Sequence, residues 1–145
     1  MAGVDDLLEE LRQRWGAGAD PGQMPASVLA YLGDAVYELF IRIRLCASGP
    51  ALADELHKKA VTQVRAETQA RALEMLMPVL TPDEVLVARR GRNAHTHRAR
   101  KGAGAAYSMA TGFEALLGYL FLCRRYERLQ EIVAASIERE SSGGE

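Results

Sequence analysis

One stretch, Ser27 to Arg44, SVLAYLGDAVYELFIRIR, constrains the fold of this chain more than any other. Leu29, Tyr31, Leu32, Val36, Tyr37, Leu39, Phe40, Ile41 and Ile43 run round nearly the whole circumference of a helix, which predicts an element packed on most sides. The helix is expected from Ala26 to about Ala47. Ser48, Gly49 and Pro50 then stop it, a flexible residue followed by one that cannot continue a helix. The same period recurs at Asp5–Arg14, Leu52–Ala60, Arg65–Met77, Pro82–Arg90, Ala105–Cys123 and Tyr126–Glu140, while no segment alternates with a strand's period of two. An all-α bundle is expected. A chain of 145 residues has room for one such domain. Gly16, Gly18, Pro21, Gly22 and Pro25 interrupt it early, so residues 1–24 read as an N-terminal helix and Gly/Pro linker, 25–140 as the folded domain and 141–145 as a disordered tail.

The signature helix carries an acid in its middle. Asp34 has Ala30, Tyr31, Tyr37 and Glu38 three and four residues away, none of them cationic, so no local ion pair satisfies it. A buried, unpaired carboxylate costs several kcal/mol or takes up a proton. Its partner is therefore expected from another element. Glu38 differs, because Arg42 follows at i+4 in the favourable order, and a surface ion pair accounts for it without any catalytic role. Gly33, unfavourable inside a helix by about 1 kcal/mol relative to Ala, predicts a backbone or ligand passing close beside Asp34. The segment Thr111–Leu122, TGFEALLGYLFL, has the same grammar: Glu114 has Ala110, Thr111, Leu117 and Gly118 at helical neighbour positions. Two readings fit such a pair of acids. Either they converge on a hard divalent cation, which one or two carboxylates plus waters and phosphate oxygens commonly hold, or each caps a neighbouring helix or meets a distant arginine.

Charge is distributed unevenly although the formal net charge is only −1. Between Glu84 and Glu114 there is no acid, whereas Arg89, Arg90, Arg92, Arg98, Arg100 and Lys101 lie there together with His95 and His97. RRGRNAHTHRARKGAG reads as a helix end running into a cationic loop. Arginine forks in a mobile segment suit a phosphate backbone, which makes Arg90, Arg92, Asn93, His97, Arg98, Arg100 and Lys101 the candidate nucleic-acid contacts. A solvated basic loop that touches nothing is the plainer alternative. His95 and His97, at i and i+2 with no nearby cysteine or acid, make a poor zinc site. The two cysteines, Cys46 and Cys123, stand in apolar helical context and are expected to be buried small hydrophobes. With no secretory or membrane-length apolar run, the expectation is a cytoplasmic protein with reduced thiols and no membrane contact.

LAYLGDAVYEL at Leu29–Leu39 and GFEALLGYLFL at Gly112–Leu122 resemble the two catalytic helices of the ribonuclease III family, in the same order and at a similar separation. The resemblance spans about Met24–Ile137. The small size and the RGRNA segment followed by basic residues are similar to the Mini-III branch, a catalytic domain without a double-stranded-RNA-binding module. It implies a single ribonuclease III-like endonuclease domain that works as a homodimer, with Asp34 and Glu114 as catalytic and Mg2+-binding residues. Tyr31 falls where the family places an aromatic against the partner subunit. The activity implied is endonucleolytic hydrolysis of double-stranded RNA, each subunit cutting one strand to leave 5′-phosphate and 3′-hydroxyl ends with a short 3′ overhang. The physiological substrate implied is precursor 23S ribosomal RNA. Two of the family's four acids are replaced, by Ala30 four residues before Asp34 and by Thr111 three before Glu114. That departure keeps a second reading in view, a non-catalytic RNA-binding protein on the same fold. A helical interaction module with no RNA role is the third, and the acid-free basic interval argues against it.

Overall fold

The computed structural model describes residues 3–15, 20–47, 49, 52–63, 65–94 and 104–142. Seven α-helices make up the architecture of this part: α1 (Val4–Trp15), α2 (Ala26–Ala47), α3 (Ala53–Gln63), α4 (Ala66–Leu76), α5 (Pro82–Arg92), α6 (Gly104–Leu122) and α7 (Tyr126–Ser142). No strand occurs among the described residues. The all-α expectation holds, and the helices begin and end close to where the apolar period predicted. Gly49, just past α2, takes a left-handed φ of 124°, as a glycine stop requires. The expected 141–145 tail lies partly inside α7, which runs through Ser142.

Helix α6 is the centre of the bundle because it has no polar face to give to solvent. Phe113, Ala115, Leu116, Leu117 and Leu120 are fully buried, and α2, α4 and α5 pack around it with α7 alongside. The Phe113 ring meets Tyr37 of α2 edge-on at 5.2 Å between centroids, an arrangement that the ring quadrupoles favour.

Helix α2 departs from its sequence reading. One side packs inward through Leu29, Gly33, Val36, Tyr37 and Ile41, but Val28, Tyr31, Leu39 and Ile43 face solvent. A helix can be buried all round only with neighbours on every side, and within one chain α2 has them on one side. The cysteines are corrected as well: Cys46 is exposed on the last turn of α2, where the helix outruns the core, and Cys123 is half-buried at the α6–α7 corner.

Helix α5 is fixed at both ends. Thr81 and Glu84 form a reciprocal capping box, with Pro82 in the first turn. The same Glu84 carboxylate, 1% exposed as a residue, receives Arg128 of α7 through Nε at 2.9 Å and NH2 at 2.8 Å. Burial alone would raise the Glu84 pKa, but the bonds from Arg128 and Thr81 outweigh it and hold the carboxyl below its usual range. At the other end Arg90 donates to the carbonyls of Met24 (3.0 Å) and Gly22 (3.5 Å), tying α5 to the segment that leads into α2. That segment is a short 3-10 turn, Pro21–Gln23, capped by Asp20. An ion pair between Glu9 and Arg124 links α1 to the α6–α7 corner. No described helix is long and apolar enough to cross a membrane.

Candidate active site

Two glycines bring the two acids together. A Cβ placed on Gly33 would lie 1.7 Å from the backbone oxygen of Glu114, and one placed on Gly118 would lie 2.1 Å from the oxygen of Leu29. α2 and α6 therefore cross in backbone contact, which any side chain at either position would prevent. Gly33 immediately precedes Asp34, and Gly118 lies one turn after Glu114, so the crossing sets both carboxylates beside the same contact. The close backbone predicted beside Asp34 is that of α6.

The electrostatics follow from this proximity. Desolvation by burial, then the charge of Asp34, push the Glu114 carboxyl up to about 8. Asp34 is also raised from its ordinary value, first by desolvation and then by the charge of Glu38. Asp34 was expected to be buried, yet its side chain reaches the surface, because it projects from the edge of the crossing rather than into it. Glu114 is half-buried. Among the described residues neither acid has an ion pair or a side-chain hydrogen bond. Two mutually repelling carboxylates without a cation suit a hard divalent ion, whose charge would relieve the repulsion while waters fill its remaining positions.

The positions that depart from the ribonuclease III pattern are used otherwise. Ala30 is buried and packs with Leu29, Val87 and Ala115. Thr111 spends its hydroxyl on the carbonyl of Tyr107, one turn back in α6, at 3.0 Å. Among the described residues no group of three His, Cys, Asp or Glu side chains could hold a metal, so the pair stands as two carboxylates.

A second tight crossing seats the start of the basic segment. A Cβ on Gly91 would lie 2.8 Å from Gly112 Cα and from Ala115 Cβ, so α5 presses its last turn onto α6 within a turn of Glu114. Arg92 and Asn93, candidate RNA contacts, follow that glycine and are exposed. The bonds of Arg90 to the Gly22 and Met24 carbonyls are a structural task that the sequence did not signal. His97, Arg98, Arg100 and Lys101 lie outside the described residues. Tyr31, the candidate dimer residue, is 85% exposed. Glu38 and Arg42 form the predicted ion pair. The sequence placed Glu38 four residues from Asp34, and the structure adds that its charge helps to raise the Asp34 carboxyl.

Comparison with known proteins places this site in context. Residues 27–125 match the family described as ribonuclease III domain. The chain is similar to the Mini-ribonuclease 3 of Symbiobacterium thermophilum, with 49% identity over 121 residues covering 83% of this chain and 93% of that one. It is also similar to the Mini-ribonuclease 3 of Brevibacillus brevis, with 44% identity over 126 residues covering 84% and 94%. An X-ray crystal structure of a protein from Fusobacterium nucleatum superposes with a TM-score of 0.73 at 26% identity, covering 81% of this chain and 95% of that one.

Proposed function

The chain belongs to the ribonuclease III domain family, and from that premise we propose that it is an endoribonuclease hydrolysing double-stranded RNA, with Asp34 and Glu114 holding a magnesium ion. One observation carries the reading: the Gly33–Gly118 crossing joins two carboxylates on separate helices, and among the described residues neither has a cationic partner. When bound, the ion supplies a water of lowered pKa and offsets charge developing on the scissile phosphate.

The protein's own residues divide the remaining work. Asp34, at the surface, faces the incoming strand, and Glu114, half-buried, anchors the cation side from the core. Arg92 and Asn93 at the exposed end of α5, with Arg98, Arg100 and Lys101 beyond it, supply phosphate contacts that position a duplex without reading its bases. RNA in the A form suits such recognition, because side chains cannot enter its narrow major groove and shape is read through phosphates and 2′-hydroxyls. Two copies joined through the exposed apolar side of α2 would place two sites on one duplex. The resemblance of its two catalytic helices to the Mini-III branch implies precursor 23S ribosomal RNA as the substrate.

The test is incubation of purified protein with end-labelled duplex and single-stranded RNA, with and without magnesium. Cleavage of the duplex alone, and only with the metal, is expected. Retention of duplex without cleavage at any magnesium concentration would instead favour a non-catalytic RNA-binding protein.

A further inference from the structure

Glu38 occupies a position that the proposed reaction leaves unused. It lies one helical turn beyond Asp34 and one turn before Arg42 on α2, and both steps are the i, i+4 spacing at which side chains meet. In the structure Glu38 turns toward Arg42: its Oε1 accepts from Arg42 Nε at 3.1 Å and from NH2 at 2.5 Å. Its charge nonetheless reaches back to Asp34. Both partners of the ion pair are exposed, at 59% and 38%, and exposed pairs of this kind contribute little to stability. A divalent cation beside Asp34 offers a carboxylate a far stronger partner than a solvated guanidinium does.

We propose that Glu38 is a third carboxylate for the cation site, held in reserve by Arg42, which acts as a positioning residue. The inference rests on Asp34 and Glu114 being the cation ligands. In the structure the three acids are not gathered into one ligand group, and Glu38 would have to leave Arg42 to join Asp34, one turn back on the same helix.

Manganese(II) titrated into the protein alone, followed by loss of the free-ion EPR signal, tests this without any turnover. Releasing Glu38 with Arg42→Ala should tighten binding roughly fivefold, since ligand charge count sets the affinity of an oxygen site for a hard cation. Arg44→Ala removes the same charge two residues along α2 without freeing an acid, and should leave the affinity unchanged. Glu38→Gln combined with Arg42→Ala should abolish the gain. Asp34→Asn separates the two levels: manganese binding that survives it at full strength overturns the cation site itself. With the site upheld by that control, wild-type affinity in Arg42→Ala, equal tightening in Arg44→Ala, or a gain that persists in the double variant each overturns the role of Glu38.

Discussion

At the scale of single residues the site is defined by what its two carboxylates lack. Asp34→Asn and Glu114→Gln are nearly isosteric and remove a ligand charge, so each should keep the fold and duplex binding while lowering the cleavage rate by orders of magnitude; near wild-type rates in a single-turnover assay would show the site to be elsewhere. Glu114 also makes a prediction that needs no RNA. Its pKa rises from an ordinary 4.5 in the unfolded chain to about 8 in the fold. The folded state therefore binds this proton more tightly, and its contribution to stability is complete below about pH 4.5 and is lost as the pH rises through 8. Metal-free wild type should thus melt at a lower temperature than Glu114→Gln at pH 8, with the gap closing at pH 5. Magnesium should stabilise the wild type and leave the variant unmoved. Thermal melts at two pH values, with and without the metal, check each part.

Between elements, contact distance decides where chemistry can sit. Gly33→Ala would drive a methyl group into the Glu114 carbonyl, and because both atoms belong to helix backbones the crossing must open; overpacking of this kind costs about 1–3 kcal/mol or more. Chemical denaturation should show that loss for Gly33→Ala and for Gly118→Ala. Gly22→Ala, with an ordinary 3.5 Å contact to Asp20, should change little. The second inter-element lock is ionic. Arg128→Ala leaves the Glu84 carboxylate buried without its cation, a change that typically costs about 3–5 kcal/mol, and denaturation midpoints should report it.

For the whole molecule, the exposed side of α2 and the basic segment predict two kinds of association. Val28, Tyr31, Leu39 and Ile43 form an apolar face with no neighbour in the described chain, and such faces mark contact with another molecule. A homodimer is expected, with Tyr31→Ala weakening it. Light scattering should give the wild type twice 15.9 kDa at micromolar concentration and the variant a lower average. Charge predicts the other association. Replacing Arg98, Arg100 and Lys101 by Ala should weaken duplex binding similarly for unrelated RNA sequences, and should reduce the slope of log affinity against log salt by up to about one per lost contact. An unchanged slope in binding titrations would mark these residues as solvated surface.

The sequence by itself determined the helices, because an apolar period of 3.6 and its glycine and proline stops are local properties of a chain. It also singled out Asp34 and Glu114, since the absence of a cation at i±3 and i±4 is likewise local, and it marked Gly33 as a point of close approach. What approaches Gly33 depends on packing: only the tertiary structure showed that the Glu114 backbone fills that space and that Gly118 receives α2 in return. Exposure was misjudged for the same reason. Whether Leu39 or Cys46 is covered depends on neighbours far away in the sequence, which the pattern within one helix cannot supply. The Glu84–Arg128 lock and the Arg90 bonds to Gly22 and Met24 join residues 44 to 68 positions apart, and no local spacing records such a meeting.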